Sequence, residues 1–159
     1  MRGFRRSRHQ FVAVFDPAEA GTLSMLASQL SDLIENRESE DDDPAMSRLL
    51  PDAYPDDAEA SAEFRRFTAD DLASRKSANA RRIVADLAIA SVATSATVVK
   101  VDAQAAQAWL RSLTDIRLTI AARLGIEEDD DLGAEDPVLH DLYDWLGFVQ
   151  GSLVDCLDR

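Results

Sequence analysis

The segment from Asp102 to Gly125 leaves this chain few options. Trp109, Leu113, Ile116, Ile120 and Leu124 recur every three or four residues, which is the period of one helical face. Asp102 is a capping residue at the start of that stripe, and Gly125 suits a left-handed cap at its end. A helix with such a stripe owes most of its stability to burial of the stripe against another apolar face. Two other segments offer one. Asp136-Pro137 opens a helix that puts Val138, Leu142, Trp145, Leu146, Val149, Leu153 and Cys156 on its inner side. Asp16-Pro17-Ala18-Glu19 opens another, with Asp16 as cap, Pro17 in the first turn and Glu19 closing a capping box. Leu23, Leu26, Leu30, Leu33 and Ile34 run down that helix.

The remaining segments are shorter or less regular. A short helix is expected over about 56–67, with Phe64 and Phe67 turned inward. Thr68 and Asp71 then form a capping box for a long helix through Leu72, Ile83, Val84, Leu87 and Ala90. Phe4 to Arg8 and Gln10 to Phe15 read as two strands around Ser7-Arg8-His9. A lone hairpin is marginal in water, so this one must lie on the helical body. Val98-Val99-Lys100-Val101 is β-branched and fits a short extended segment, a connector or the end of the preceding helix equally well. The expected fold is mainly α: a bundle of four to five helices with a short N-terminal β-hairpin packed on it. The expected organisation is a single domain over 1–159: hairpin 1–15, first helix 16–36, acidic connection 37–55 and helical bundle 56–159.

Charge is segregated along this frame. Arg2, Arg5, Arg6 and Arg8 crowd the start of a chain whose formal net charge is -13. The other residues hold 13 bases against 30 acids. Such a chain repels bulk nucleic acid and offers one small cationic handle, so direct nucleic-acid binding is weakly supported. Between Glu35 and Glu59 lie ten acidic residues, the bases Arg37 and Arg48, and three prolines. This reads as a solvated connection anchored on the core by Met46, Leu49, Leu50 and Tyr54. No apolar run approaches the roughly 20 residues that cross a bilayer, so no membrane association is expected. With the single cysteine Cys156 and no signal peptide in view, a cytoplasmic location is expected.

Catalytic and metal chemistry find no foothold. An EF-hand reading of Glu127 to Gly133 puts Leu132 at a ligating position and Leu139 where a bidentate Glu is needed, so it fails. His9 and His140 have no zinc spacing with Cys156. Cys156 is flanked by Asp155 and Asp158, a setting that disfavours a reactive thiolate, and it reads as a core cysteine. Ser74, Ser77 and Ser91 to Ser95 lack a base partner for nucleophilic work. No catalytic residue, cofactor or metal is expected. A second basic cluster, Arg65, Arg66, Arg75, Lys76, Arg81 and Arg82, reads as internal or exposed ion pairs. Val98, Val99, Val101 and Phe148 offer a face on which a homodimer is possible.

Two stretches are familiar. Trp109-Leu110-Arg111-Ser112-Leu113-Thr114-Asp115-Ile116-Arg117-Leu118, continuing to Gly125-Ile126, is one. Leu142-Tyr143-Asp144-Trp145-Leu146-Gly147-Phe148-Val149-Gln150-Gly151-Ser152-Leu153 is the other. With the Phe4-Arg5-Arg6 hairpin they resemble, over essentially the whole chain, an actinobacterial family labelled a domain of unknown function. Its genes are often found beside that of the ClpS protease adaptor. One member is described as an actinomycete oxidative-stress regulator that acts on transcription with an extracytoplasmic-function sigma factor in a redox-dependent way. The resemblance implies a motif of Trp109, Leu113, Asp115, Arg117, Arg123, Gly125, Asp144, Trp145 and Gln150, and it supplies no catalytic residue. These positions suit a structural role, with Arg117 and Arg123 reaching carboxylates such as Asp141 or Asp144 on the neighbouring helix. With one cysteine an intramolecular disulfide switch is excluded.

The expected function is that of a non-enzymatic regulator of transcription in the stress response. It acts through protein–protein contacts, with a sigma factor or RNA polymerase as partner and Arg2, Arg5, Arg6 and Arg8 as the contact residues. The alternatives are an accessory or adaptor of the ClpS/Clp proteolysis system and a small-ligand-binding helical domain.

Overall fold

The structure, a computed structural model, describes residues 1–37, 43–51, 62–128 and 131–159. Its elements run β1 (Arg2–Ser7), β2 (Gln10–Phe15), α1 (Pro17–Glu35), α2 (Pro44–Leu49), α3 (Ala62–Asp86), α4 (Ala88–Val92), β3 (Thr97–Val101), α5 (Ala103–Leu124) and α6 (Pro137–Leu157). The mainly helical architecture with the hairpin packed on it is the one expected. Four long helices form the bundle, and α2 and α4 add about one turn each.

The three strongest start signals are all realised. Asp16 accepts from the Glu19 amide at 2.8 Å while Glu19 accepts from the Asp16 amide at 3.1 Å, closing the capping box of α1. Asp102 accepts from Ala105 at 2.8 Å and Asp136 from Leu139 at 3.1 Å. Gly125 ends α5 with φ 73°, in the left-handed region where its missing Cβ removes the penalty. The Thr68–Asp71 box is not a start: α3 runs unbroken from Ala62 through both residues. No Gly or Pro interrupts residues 62–86, so nothing halts the helix before Thr68. Phe67, expected inside, is 74 % exposed on that helix. The side chain of Phe64 and all of Tyr54 lie outside what is described.

The β-branched run Val98–Val101 belongs to a strand. β3 pairs antiparallel with β2 from Phe11↔Val101 to Phe15↔Thr97, making a sheet of order β1-β2-β3. Phe11, Ala13, Phe15, Val99 and Val101 face the helices and join the core. Val99 and Val101 are therefore unavailable as a dimer face, because the strand pleat turns alternate residues inward. Within the 37–55 connection, Asp43 caps α2 by accepting from Ala45, and Met46, Leu49 and Leu50 are fully buried. On α6, Leu146, Val149, Leu153 and Cys156 are buried and Trp145 and Leu142 partly so. Val138, in its first turn, is 68 % exposed, since the helix start projects beyond the bundle.

Side chains of α6 close the outer edge of β1. The Phe4 amide donates to Ser152 Oγ at 3.0 Å, and the Cys156 thiol donates to the Phe4 carbonyl, also at 3.0 Å. Ser152 and Cys156 stand one helical turn apart, so both backbone groups of one edge residue find a partner on one helix face. Gly3 allows this approach: a Cβ there would lie 2.9 Å from Ser152 Cβ. The lone cysteine is thereby a structural hydrogen-bond donor. Replacing Ser152 with Ala leaves the Phe4 amide without an acceptor in a packed interface. The expected loss is about 1–2 kcal/mol of stability, read as a lower midpoint in chemical denaturation.

Candidate functional site

Several basic residues on or beside the helices are paired with carboxylates. Arg75 pairs with Asp71, Arg82 with Asp86, Arg81 with Glu35 and Arg37 with Asp70. Of the second basic cluster, Arg75, Lys76, Arg81 and Arg82 thus form ion pairs; Arg66 is exposed, and the side chain of Arg65 lies outside the described residues. Arg123 binds Asp43 through both guanidinium nitrogens at 2.6 and 2.8 Å, which ties α5 to the cap of α2. That hydrogen-bonded pair holds the Asp43 carboxyl below its ordinary value.

Inside the bundle lies a polar layer that composition does not advertise. Lys76 Nζ on α3 meets Asp115 Oδ1 on α5 at 2.6 Å, with the Asp115 side chain almost wholly buried. Asp115 Oδ2 and Ser112 Oγ find no hydrogen-bond partner among the described residues. Burial pushes the Asp115 carboxyl above its ordinary value, and the hydrogen bond and charge of Lys76 offset part of that rise. At the next residue of α3, Ser77 hydrogen-bonds Ser31 and Glu35, both at 2.8 Å, joining α1 to α3. This layer ties α1, α3 and α5 in register.

The other motif residues are also structural. Trp109 is fully buried, and its indole Nε1 donates to Asp86 Oδ2 at 2.8 Å. Leu113 is buried beside it on the same stripe. Arg117 lies over the Tyr143 ring at 4.2 Å and donates to Gln150 Oε1 at 3.3 Å. Gln150 donates in turn to Thr114 Oγ1 at 2.6 Å. The expected partners of Arg117 and Arg123 on α6, Asp141 and Asp144, are not used. Both are exposed, and the register of α5 against α6 presents Tyr143 and Gln150 to Arg117 instead. Asp131, in the acidic loop, accepts from the amides of Gly133 and Glu127, so it staples its own turn. Among the described residues no group of three or more His, Cys, Asp or Glu side chains is placed to hold a metal ion.

The hairpin differs from all of this. Arg2, Arg5, Arg6 and Arg8 are exposed, and no ion pair reaches any of them among the described residues. Arg6 donates only to the Arg159 carbonyl, at 3.0 Å. Arg8 occupies the two-residue turn with φ 57°, a conformation that costs a non-glycine residue about 1 kcal/mol. Cross-strand register extends the basic strip. Arg5 pairs with Val12, which pairs with Lys100; Arg2 pairs with Val14, which pairs with Val98. These rows lie on the sheet face turned away from the bundle. Val12 confirms the side: it is buried, yet it stands outside the core cluster. Arg2 and Arg5 thus share a face, but a register shift between them and the turn at Arg8 break the regular alternation that would align Arg2, Arg6 and Arg8. Arg6 turns instead toward α6, where Arg5, Arg6 and Arg159 line a groove of about 330 Å³ with Asp155. Sequence reasoning missed Lys100 as a member of the basic face. Its alternation with Val99 and Val101 was the available signal, once the segment is taken as a strand.

The chain matches, over residues 1–157, the family model described as a domain of unknown function (DUF2017). No curated protein matches it, and no solved structure does. Among the described residues no helix is long and apolar enough to cross a membrane.

Removing the Lys76 ammonium leaves the Asp115 carboxylate buried without compensation. Lys76→Ala is expected to cost about 3 kcal/mol at pH 7. The folded carboxyl already titrates above its unfolded value, and the loss of Lys76 raises it further. As pH falls through that raised value the folded state takes up the proton first, so acidification lessens the deficit of the variant relative to the native protein. Urea denaturation of both proteins at pH 7 and pH 5 checks this; a deficit that widens at pH 5 contradicts it.

Proposed function

Since the chain belongs to the DUF2017 family, whose description assigns no activity, we propose from its charge geometry that it is a non-enzymatic docking protein. It engages an acidic protein surface with its arginine hairpin. One observation carries this reading. Most helical cations have carboxylate partners or a packed position, whereas Arg2, Arg5, Arg8 and Lys100 are exposed on or beside one small sheet and have no ion pair among the described residues, in a chain with net charge -13. Among the described residues no carboxylate neutralises them.

The strongly negative remainder opposes nucleic acid at long range, so the hairpin suits a protein whose acidic patch is local. Salt screens such a contact, and the arginines steer association more than they add affinity. The resemblance to an actinobacterial stress regulator supports a role in transcription control, with a sigma factor or RNA polymerase offering the acidic patch. The thiol of Cys156, spent on the Phe4 carbonyl, gives this protein a structural cysteine in that setting.

Affinity capture from host extract with the full chain tests the proposal. The native protein is expected to retain sigma factor or polymerase in low salt. The variant Arg2→Ala/Arg5→Ala/Arg8→Ala is expected to keep its melting temperature and lose about tenfold in binding, roughly 1.4 kcal/mol. Equal capture by both proteins overturns the docking role of the arginines. Recovery of ClpS or a Clp ATPase in place of the transcription machinery turns the assignment to the proteolysis system.

A further inference from the structure

The two edges of the sheet are treated differently. In an antiparallel pair, alternate residues direct their amide and carbonyl toward the partner strand and the others direct theirs away. Ser7 and Gln10 flank the two-residue turn, so they and Arg5↔Val12 point toward each other. Phe4 therefore points outward, which is where Ser152 and Cys156 meet it. The same parity directs Phe11, Ala13 and Phe15 toward β3, and Thr97, Val99 and Val101 back toward β2. The amide and carbonyl groups of Val98 and Lys100 then point off the far edge. Among the described residues no backbone hydrogen bond reaches these four groups from another element.

An open edge is a template for an added strand. What it accepts is set by the side chains beside it. Along the exposed face, the row Arg5–Val12–Lys100 ends at the edge in an ammonium, and the row Arg2–Val14–Val98 ends in an isopropyl group 53 % exposed. A strand laid beside β3 continues both rows. It puts one side chain next to Lys100 and another, two residues along, next to Val98. Helix α4, which packs against β3, carries the exposed Ile89 and Val92. The complement is a carboxylate for Lys100 and an aliphatic group for Val98.

We infer that the open edge of β3 binds an extended segment of a partner protein in which acidic and aliphatic side chains alternate, by strand addition at Val98 and Lys100. This rests on the reading of the protein as a docking module and specifies how the partner is held: backbone bonds at the edge, with Lys100 and Arg5 supplying the charge preference. A second copy of the chain fits less well. Twofold pairing of β3 centred on Val99 sets Lys100 beside Val98 of that copy, so neither ammonium meets a carboxylate, and both copies carry net charge -13.

The test uses the full chain and a fluorescein-labelled heptapeptide of alternating Glu and Val, read by fluorescence anisotropy. Saturable binding is expected. It should weaken at least about tenfold in three cases: when alternate peptide amides are N-methylated, when Glu is exchanged for Lys, and in the variant Lys100→Glu. Val98→Pro, which removes one outward amide at an edge that tolerates proline, is expected to do the same with an unchanged circular-dichroism spectrum. If Val98→Pro does not fold, the methylated peptide and Lys100→Glu still decide. Absence of peptide binding overturns the inference, as does equal binding of the methylated peptide. So does a light-scattering mass showing a dimer that Lys100→Glu dissolves. If the triple arginine variant loses the captured partner while Lys100→Glu and Val98→Pro retain it, strand addition is wrong and the docking role of the hairpin stands.

Discussion

Trp109 is the aromatic centre at which sheet and bundle meet. Its ring meets Phe4 edge-on with centroids 5.4 Å apart and Phe15 at 6.1 Å, and Phe4 and Phe15 meet each other at 6.4 Å. One side chain of α5 thereby touches β1 and β2 while its indole nitrogen reaches Asp86 at the end of α3. A fully buried tryptophan offers a large apolar area and one donor that must be satisfied. Asp86 satisfies it and is itself held by Arg82. The β1–β2 hairpin, with little stability of its own, is thus tied through one side chain to α5 and α3, beside its pairing with β3 and its bonds to α6.

With the hairpin fixed in that way, the basic residues on its outer face become a defined surface. A floppy arginine-rich arm carries the same charge but dissipates binding energy in ordering. Here β1 is fastened on one side by β2 and on the other by Ser152 and Cys156, so Arg2 and Arg5 project from a settled backbone. Arg8 at the turn keeps a left-handed conformation that a glycine would adopt more easily, so the guanidinium is present at a cost to local stability. Among the described residues the sheet gathers exposed cations that no carboxylate neutralises.

The polar contacts between helices do another kind of work. Lys76–Asp115, Ser31–Ser77–Glu35 and Arg117–Gln150–Thr114 each link two helices at a single height. A slip of one turn leaves each of these groups facing apolar side chains, which costs more than the contact itself contributes. The stretches Trp109 to Gly125 and Leu142 to Leu153 supply Thr114, Asp115, Arg117 and Gln150 to that register.

The sequence by itself determined the elements whose causes are local. The stripe from Trp109 to Leu124, the caps at Asp16, Asp102 and Asp136, and the left-handed end at Gly125 all follow from spacing within a turn or two. So does the hairpin, because alternation and a two-residue turn lie within fifteen residues of each other. Tertiary structure decided whatever depended on a partner distant in sequence. Val98 to Val101 became a strand because β2, more than eighty residues earlier, offered an edge. The Thr68 box was overridden because helix continued on both sides of it. Arg123 took Asp43, Lys76 took Asp115 and Cys156 took the Phe4 carbonyl, pairings that no periodicity encodes. Which charges stayed free was the last of these decisions. A count of acids and bases shows an excess, and only packing shows that Arg2, Arg5 and Lys100 share one face of one sheet.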